Sequence, residues 1–140
     1  MTSQEHIVAV VEPALDGETT IDFAKQVVDR GGRATVVVLF SRKTVAAVTA
    51  FANAEDLSYP DAHEIYVERL AENYSARFGG NHQVAFVEDS SDADRVVFGR
   101  ATRDAATSVA MPQRLVNRRK WKASVARSSI PVVIAPPLAA

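Results

Sequence analysis

"HQVAFVEDSSDADRVVFGR", residues 82 to 100, is the stretch on which the fold turns. Its two apolar runs, 82–87 and 94–99, both have the length and the Val/Phe content of a buried strand. Between Val87 and Arg95 only seven residues, "EDSSDAD", are available. A parallel crossover takes roughly a dozen residues or more, usually with a helix, whereas an antiparallel hairpin needs none. Seven extended residues reach at most about 25 Å, barely enough to return across a sheet. The reading is a short helical turn or a bare crossover, so that the third crossover helix is shortened or missing.

The flanking sequence supplies the context. "HIVAVV" at 6–11 is a continuous apolar run, as in a strand buried on both faces, and ends at Glu12-Pro13. Asp16 is placed to cap a helix carrying Ile21, Ala24 and Val28 on one face, and Gly31-Gly32 stops it. "RATVVVLF" at 33–40 is a second strand, completing a βαβ unit. Residues 42 to 54 and about 60 to 78 read as helices, the second starting at Pro60 and carrying Tyr66, Leu70, Tyr74 and Phe78 in one stripe. With strands at 82–87 and 94–99, a helix from Pro112 to about Ser129 and a last strand "PVVIA" at 131–135, the expectation is a single α/β domain over 1–140. It is doubly wound on about five mostly parallel strands.

Composition narrows the function classes. The 140 residues are 47% apolar and 24% charged, without cysteine, which removes disulfides, thiolate chemistry and cysteine-ligated metals. No segment has the ~18 apolar residues of a membrane span, and Met1 to His6 lacks the form of a signal peptide, so the expectation is a cytoplasmic protein. Residues 1–98 hold 8 Lys/Arg against 16 Asp/Glu; residues 99–140 hold 8 against 1. The basic part is either a solvated face complementing acidic neighbours or an anion-binding surface. His6, His63 and His82 lie far apart, and no HExxH, GxSxG or GxxxxGK[ST] pattern occurs, so no catalytic or metal residues are assigned. "EDSSDAD" lacks the glycine and terminal glutamate of a calcium loop and reads as a capping turn.

The element order, the first strand "HIVAVV", the segment "DADRVVFGR" and the terminal "SIPVVIAPP" together resemble the universal stress protein family over nearly the whole chain. The resemblance implies a sheet in the order 3-2-1-4-5, an ATP crevice at the strand C-termini, the usual ligand place of an open α/β sheet, and a homodimer through the last strand, Pro131 to Ala135. ATP-binding members carry Gly-x-x-Gly, a nine-residue gap, then Gly followed by Ser or Thr, because glycines admit backbone amides to phosphates at a helix N-terminus. Here Gly99 matches the first glycine, but Thr102 stands at the second, and counting onward gives Pro112-Gln113. Counting back from Pro131 gives Arg118-Arg119 instead. The first strand, where such members place an adenine-contacting aspartate, ends Val11-Glu12-Pro13.

The residues expected to line the altered crevice are Glu12, Gly99, Arg100, Thr102, Arg118 and Arg119. On one continuous helix Arg119 falls on the face of Leu115, Val116, Ala123, Ala126 and Ile130. It is therefore placed to pair with Glu12, Glu88 or Asp89, to lie exposed, or to bind an anion. Trp121 and Val125 fall on the opposite side, under a loop or at a dimer contact. The function expected first is a non-enzymatic regulatory or interaction module without a cofactor, partnered by itself and by an unidentified protein. The alternative is ATP binding through Gly99, Thr102 and the arginines; the third is an anion or nucleic-acid binder through residues 114 to 127, with nucleic acid the less favoured partner.

Overall fold

The computed structural model describes residues 4–13 and 17–136; the expected Asp16 cap lies outside the described residues. Strand β1 (His6–Val11) is buried at all six positions, as its uninterrupted apolar sequence requires of a central strand. It pairs in parallel with β2 (Arg33–Phe40) on one side and with β4 (Ser108–Pro112) on the other. Strands β3 (His82–Glu88) and β5 (Val132–Ala135) complete a sheet ordered β3-β2-β1-β4-β5, with every pairing parallel.

Helix α1 (Glu18–Asp29) lays Ile21, Ala24, Val27 and Val28 on one face of the sheet, against Ile7, Ala9, Val11, Val36 and Val38. It stops where Gly31 takes φ 90°, a left-handed turn that a side chain resists, and where a Cβ on Gly32 would lie within 3 Å of Val27 and the Glu5 carbonyl. Helices α2 (Arg42–Ala54) and α3 (Tyr59–Ser75) are capped by Ser41 and Ser58, whose hydroxyls accept from the backbone of Thr44 and Asp61. Val48, Ala52 and Ala62 join them in a small satellite core.

The quoted stretch resolves differently from the expectation. Residues 94–99 are not a strand: they belong to helix α4 (Ala93–Arg103), eleven residues long, so the third crossover helix is neither missing nor shortened. Ala93, Val97 and Ala101, four apart, are the buried apolar positions, a helical period that the Val-Val-Phe run disguised. The fourth strand is instead "SVAMP" at 108–112.

The expected single helix from Pro112 to about Ser129 is also two: α5 (Gln113–Val116) and α6 (Arg119–Arg127), separated where Arg118 takes an extended ψ of 137°. The break changes the phase of everything after it. Trp121 and Ser124 are buried in α6, while Arg119 is exposed, the reverse of what a continuous helix gives. Helices α4, α5 and α6 cover the second face, where Val8, Val10, Val37, Leu39, Val109 and Met111 meet Val97, Leu115 and Trp121. Alternate residues of β1 thus serve opposite layers, at roughly 1.5–3 kcal/mol for each fully buried Val, Leu or Ile. No helix among the described residues is long and apolar enough to cross a membrane.

Candidate functional site

The sense in which strands are added to the sheet reverses between β1 and β4, and there a crevice of about 640 Å³ opens at the strand C-termini. Glu12 follows β1 directly and is only 2% exposed. Arg114, in the first turn of α5 just past β4, donates from Nη2 to Glu12 Oε1 at 3.0 Å. This pair stands across the reversal point itself.

A second pair stands beside it. Asp89, following β3, accepts both ends of the Arg118 guanidinium, Nη1 to Oδ2 at 2.9 Å and Nη2 to Oδ1 at 3.3 Å. That hydrogen-bonded carboxylate, more than any other neighbour, holds the Arg118 pKa above its ordinary value. Lys120 Nζ donates to the Ser91 carbonyl at 3.0 Å, and Ser124 donates to Asp94, both of them buried. Residues 118–124 are therefore laced to the β3–α4 connection and the first turn of α4 by Arg118, Lys120 and Ser124.

The crevice carries more cations than these pairs use. Arg42 and Lys43, opening α2, and Arg119, opening α6, line it and make no hydrogen bond or ion pair among the described residues. Cations at a helix N-terminus oppose the helix dipole, so the start of α6 is an electropositive place even after Asp89 is counted. Among the described residues no group of three or more His, Asp or Glu is placed to hold a metal ion.

Of the six residues expected to line the crevice, Glu12, Arg118 and Arg119 do so. Arg118 and Arg119 occupy the N-cap and first residue of α6, the positions given by counting back from Pro131. Arg119 makes none of the expected pairings with Glu12, Glu88 or Asp89; Arg114 and Arg118 take the carboxylates instead. Gly99, Arg100 and Thr102 are elsewhere. Gly99 sits inside α4 with open space where a Cβ would project, so it forms no phosphate loop. Thr102 returns its hydroxyl to the Phe98 carbonyl of the same helix at 3.0 Å. Arg100 lines a separate depression at the opposite, N-terminal end of the strands. The lining residues outside those six, among them Ser41, Arg42, Lys43, Asp89 and Arg114, share one signal: each falls just beyond the C-terminal end of a parallel strand, where such sheets gather their ligand groups.

No family model and no curated protein sequence matches the chain. Solved structures do. A universal stress protein family protein from Burkholderia pseudomallei superposes with a TM-score of 0.62 at 15% identity, covering 94% of this chain and 96% of that one. A universal stress protein solved in complex with cAMP gives 0.56 at 12% identity, with 96% and 98% covered. One from Arabidopsis thaliana with AMP bound gives 0.57 at 8% identity, with 96% and 93% covered. At such identities the likeness speaks for architecture alone: the chain has the universal stress protein fold.

Proposed function

We propose that the protein is a cytoplasmic, non-enzymatic regulatory module of the universal stress protein type, whose crevice is held by its own ion pairs and does not take ATP through a glycine loop. The observation that carries this reading is the placement of Arg114–Glu12 and Arg118–Asp89 across the strand ends. Where a phosphate loop presents bare amides, this chain presents long side chains already engaged with carboxylates, and a nucleotide must part those pairs before it can enter. The module acts through protein contacts, including a homodimer through β5. That strand is an edge of the sheet, and its Ile134 is 46% exposed.

A second reading has its own support. The unengaged Arg42, Lys43 and Arg119 surround the crevice, and structures of the same fold hold AMP and cAMP. In this reading side chains replace the loop and clasp the phosphates of an adenine nucleotide. Titration calorimetry with ATP, AMP and cAMP separates the two. Absence of saturable heat up to millimolar nucleotide is the result expected; micromolar binding lost in Arg119→Ala would establish the second reading in its place. Light scattering on the same sample, with Ile134→Lys as the dissociating variant, tests the dimer.

A further inference from the structure

The depression at the N-terminal end of the sheet has a volume of about 690 Å³ and owes nothing to the crevice. Arg33 from the start of β2 and Arg100 from the last turn of α4 both line it, together with His6, His82, Asn81 and Gln83. Their countercharge is thin. Asp104 stands 3.6 Å from Arg100 Nε and 3.6 Å from Arg103 Nε, too far for a hydrogen bond to either. Arg100 Nε is buried without a hydrogen-bond acceptor among the described residues. The helix dipole accounts for arginines at the end of α4, but Arg33 belongs to a strand.

His6 stands between a donor and an acceptor that it cannot both serve. Its Nε2 is 2.8 Å from the Thr35 hydroxyl, which also accepts from Gln83 Nε2 at 3.1 Å. Its Nδ1 lies 3.3 Å from the Asp104 carbonyl and 3.3 Å from Arg33 Nη2, one an acceptor and the other a donor. Whichever tautomer His6 adopts, one of those two goes unmet, and when Nδ1 carries the proton it is the Arg33 guanidinium. His82 engages the Gly80 carbonyl through Nδ1 at 2.8 Å, so its Nε2 has no hydrogen-bond partner among the described residues.

We infer that this depression is a binding site for a small phosphate monoester, with the phosphate held between Arg33 and Arg100. Two guanidiniums face the single carboxylate of Asp104 in the lining, a positive excess that suits a phosphate, and the planar fork of each matches adjacent phosphate oxygens. The volume is many times the ~30 Å³ that a water occupies in the liquid, leaving room for the esterified group beside Asn81 and Gln83. The site stands whether or not the crevice binds nucleotide.

The three histidines make the test direct. His6 and His82 line the depression, while His63 packs 5.0 Å from the Phe40 ring at the far end of β2. In ring-detected NMR titrations, inorganic phosphate and glycerol phosphate are expected to shift His6 and His82 saturably and leave His63 in place, the ester binding more tightly. Arg33→Gln, an exposed position that leaves the core intact, weakens both about tenfold or more, as does Arg100→Gln. Arg119→Gln, at the other end, changes neither. Shifts reproduced by chloride at equal ionic strength, an ester no tighter than inorganic phosphate, or an affinity unaltered in Arg33→Gln would each overturn the inference.

Discussion

The two ends of the sheet differ in how the arginines nearest the strand ends are paired. At the C-terminal end Glu12 and Asp89 each have an arginine in hydrogen-bonding contact, and those arginines tie α5 and α6 to strands on either side. At the N-terminal end Arg100 and Arg103 share Asp104 at 3.6 Å, and among the described residues Arg33 meets only an imidazole nitrogen. The same residue type is thus architectural where its acceptor is built in, and a recognition group where the acceptor is left to come from outside.

The largest effect should fall on the closed end. Arg114→Ala withdraws the guanidinium facing a carboxylate that is 2% exposed. Truncating one partner of a buried pair costs roughly 3–5 kcal/mol. Because Arg114 itself is about half exposed, a loss of about 2–3 kcal/mol in denaturant unfolding is expected. Arg118→Ala is the contrast: its carboxylate partner Asp89 is 11% exposed where Glu12 is 2%, and the expected loss is smaller, about 1 kcal/mol. Equal losses in the two variants would erase the distinction between a buried anchor and a surface tie.

A smaller effect concerns α4, which runs between the ends, with Asp94 at the crevice and Arg100 and Asp104 at the depression. Gly99→Ala meets open space on a helical backbone and should raise stability by about 0.5–1 kcal/mol without disturbing either end. A destabilised Gly99→Ala would return Gly99 to the loop first expected of it.

The smallest is a pH dependence confined to the open end. Burial first, and then Arg33, hold the His6 imidazole below its ordinary value of 6.5. The folded chain then binds fewer protons than the unfolded chain between the lowered value and 6.5. This contribution is whole above about pH 6.5 and is lost as pH falls through that window. Denaturant midpoints should decline on acidification less steeply in His6→Gln than in the parent; parallel declines would assign the effect to other groups.

Much of this architecture was legible in the residues. The βαβ unit from His6 to Phe40 declared itself through two uninterrupted apolar runs and a glycine stop, and the strand order came with the family resemblance. The exchange of helix and strand between 93 and 112 had a physical cause. "RVVFG" is short, β-branched and apolar, and a run of that length does not distinguish a buried strand from the inner face of a helix. The seven-residue connection that would not fit a crossover was the contradiction that pointed to the error, and moving the strand to "SVAMP" removes it. The α6 face was misjudged for a different reason. No proline or glycine marks the break at Asn117-Arg118, so a helical wheel drawn through it inverted Trp121 and Arg119. Glu12, Arg118 and Arg119 were found through the family resemblance, the first at the end of β1 and the arginines by counting back from Pro131. Arg100 was assigned to the wrong end with its element.

The central place of β1 sets a timetable for the chain's assembly. One edge of β1 is paired by β2 almost at once, but the other waits for β4, and the His6 and Thr107 backbones that join there are 101 residues apart in sequence. At a synthesis rate of about 5–20 residues per second, the innermost strand of the finished sheet spends roughly 5–20 s as an unprotected edge. Long-range parallel closure of this kind is slow and exposed to mispairing. The most buried segment of the native protein is therefore the one most at risk while the protein is being made.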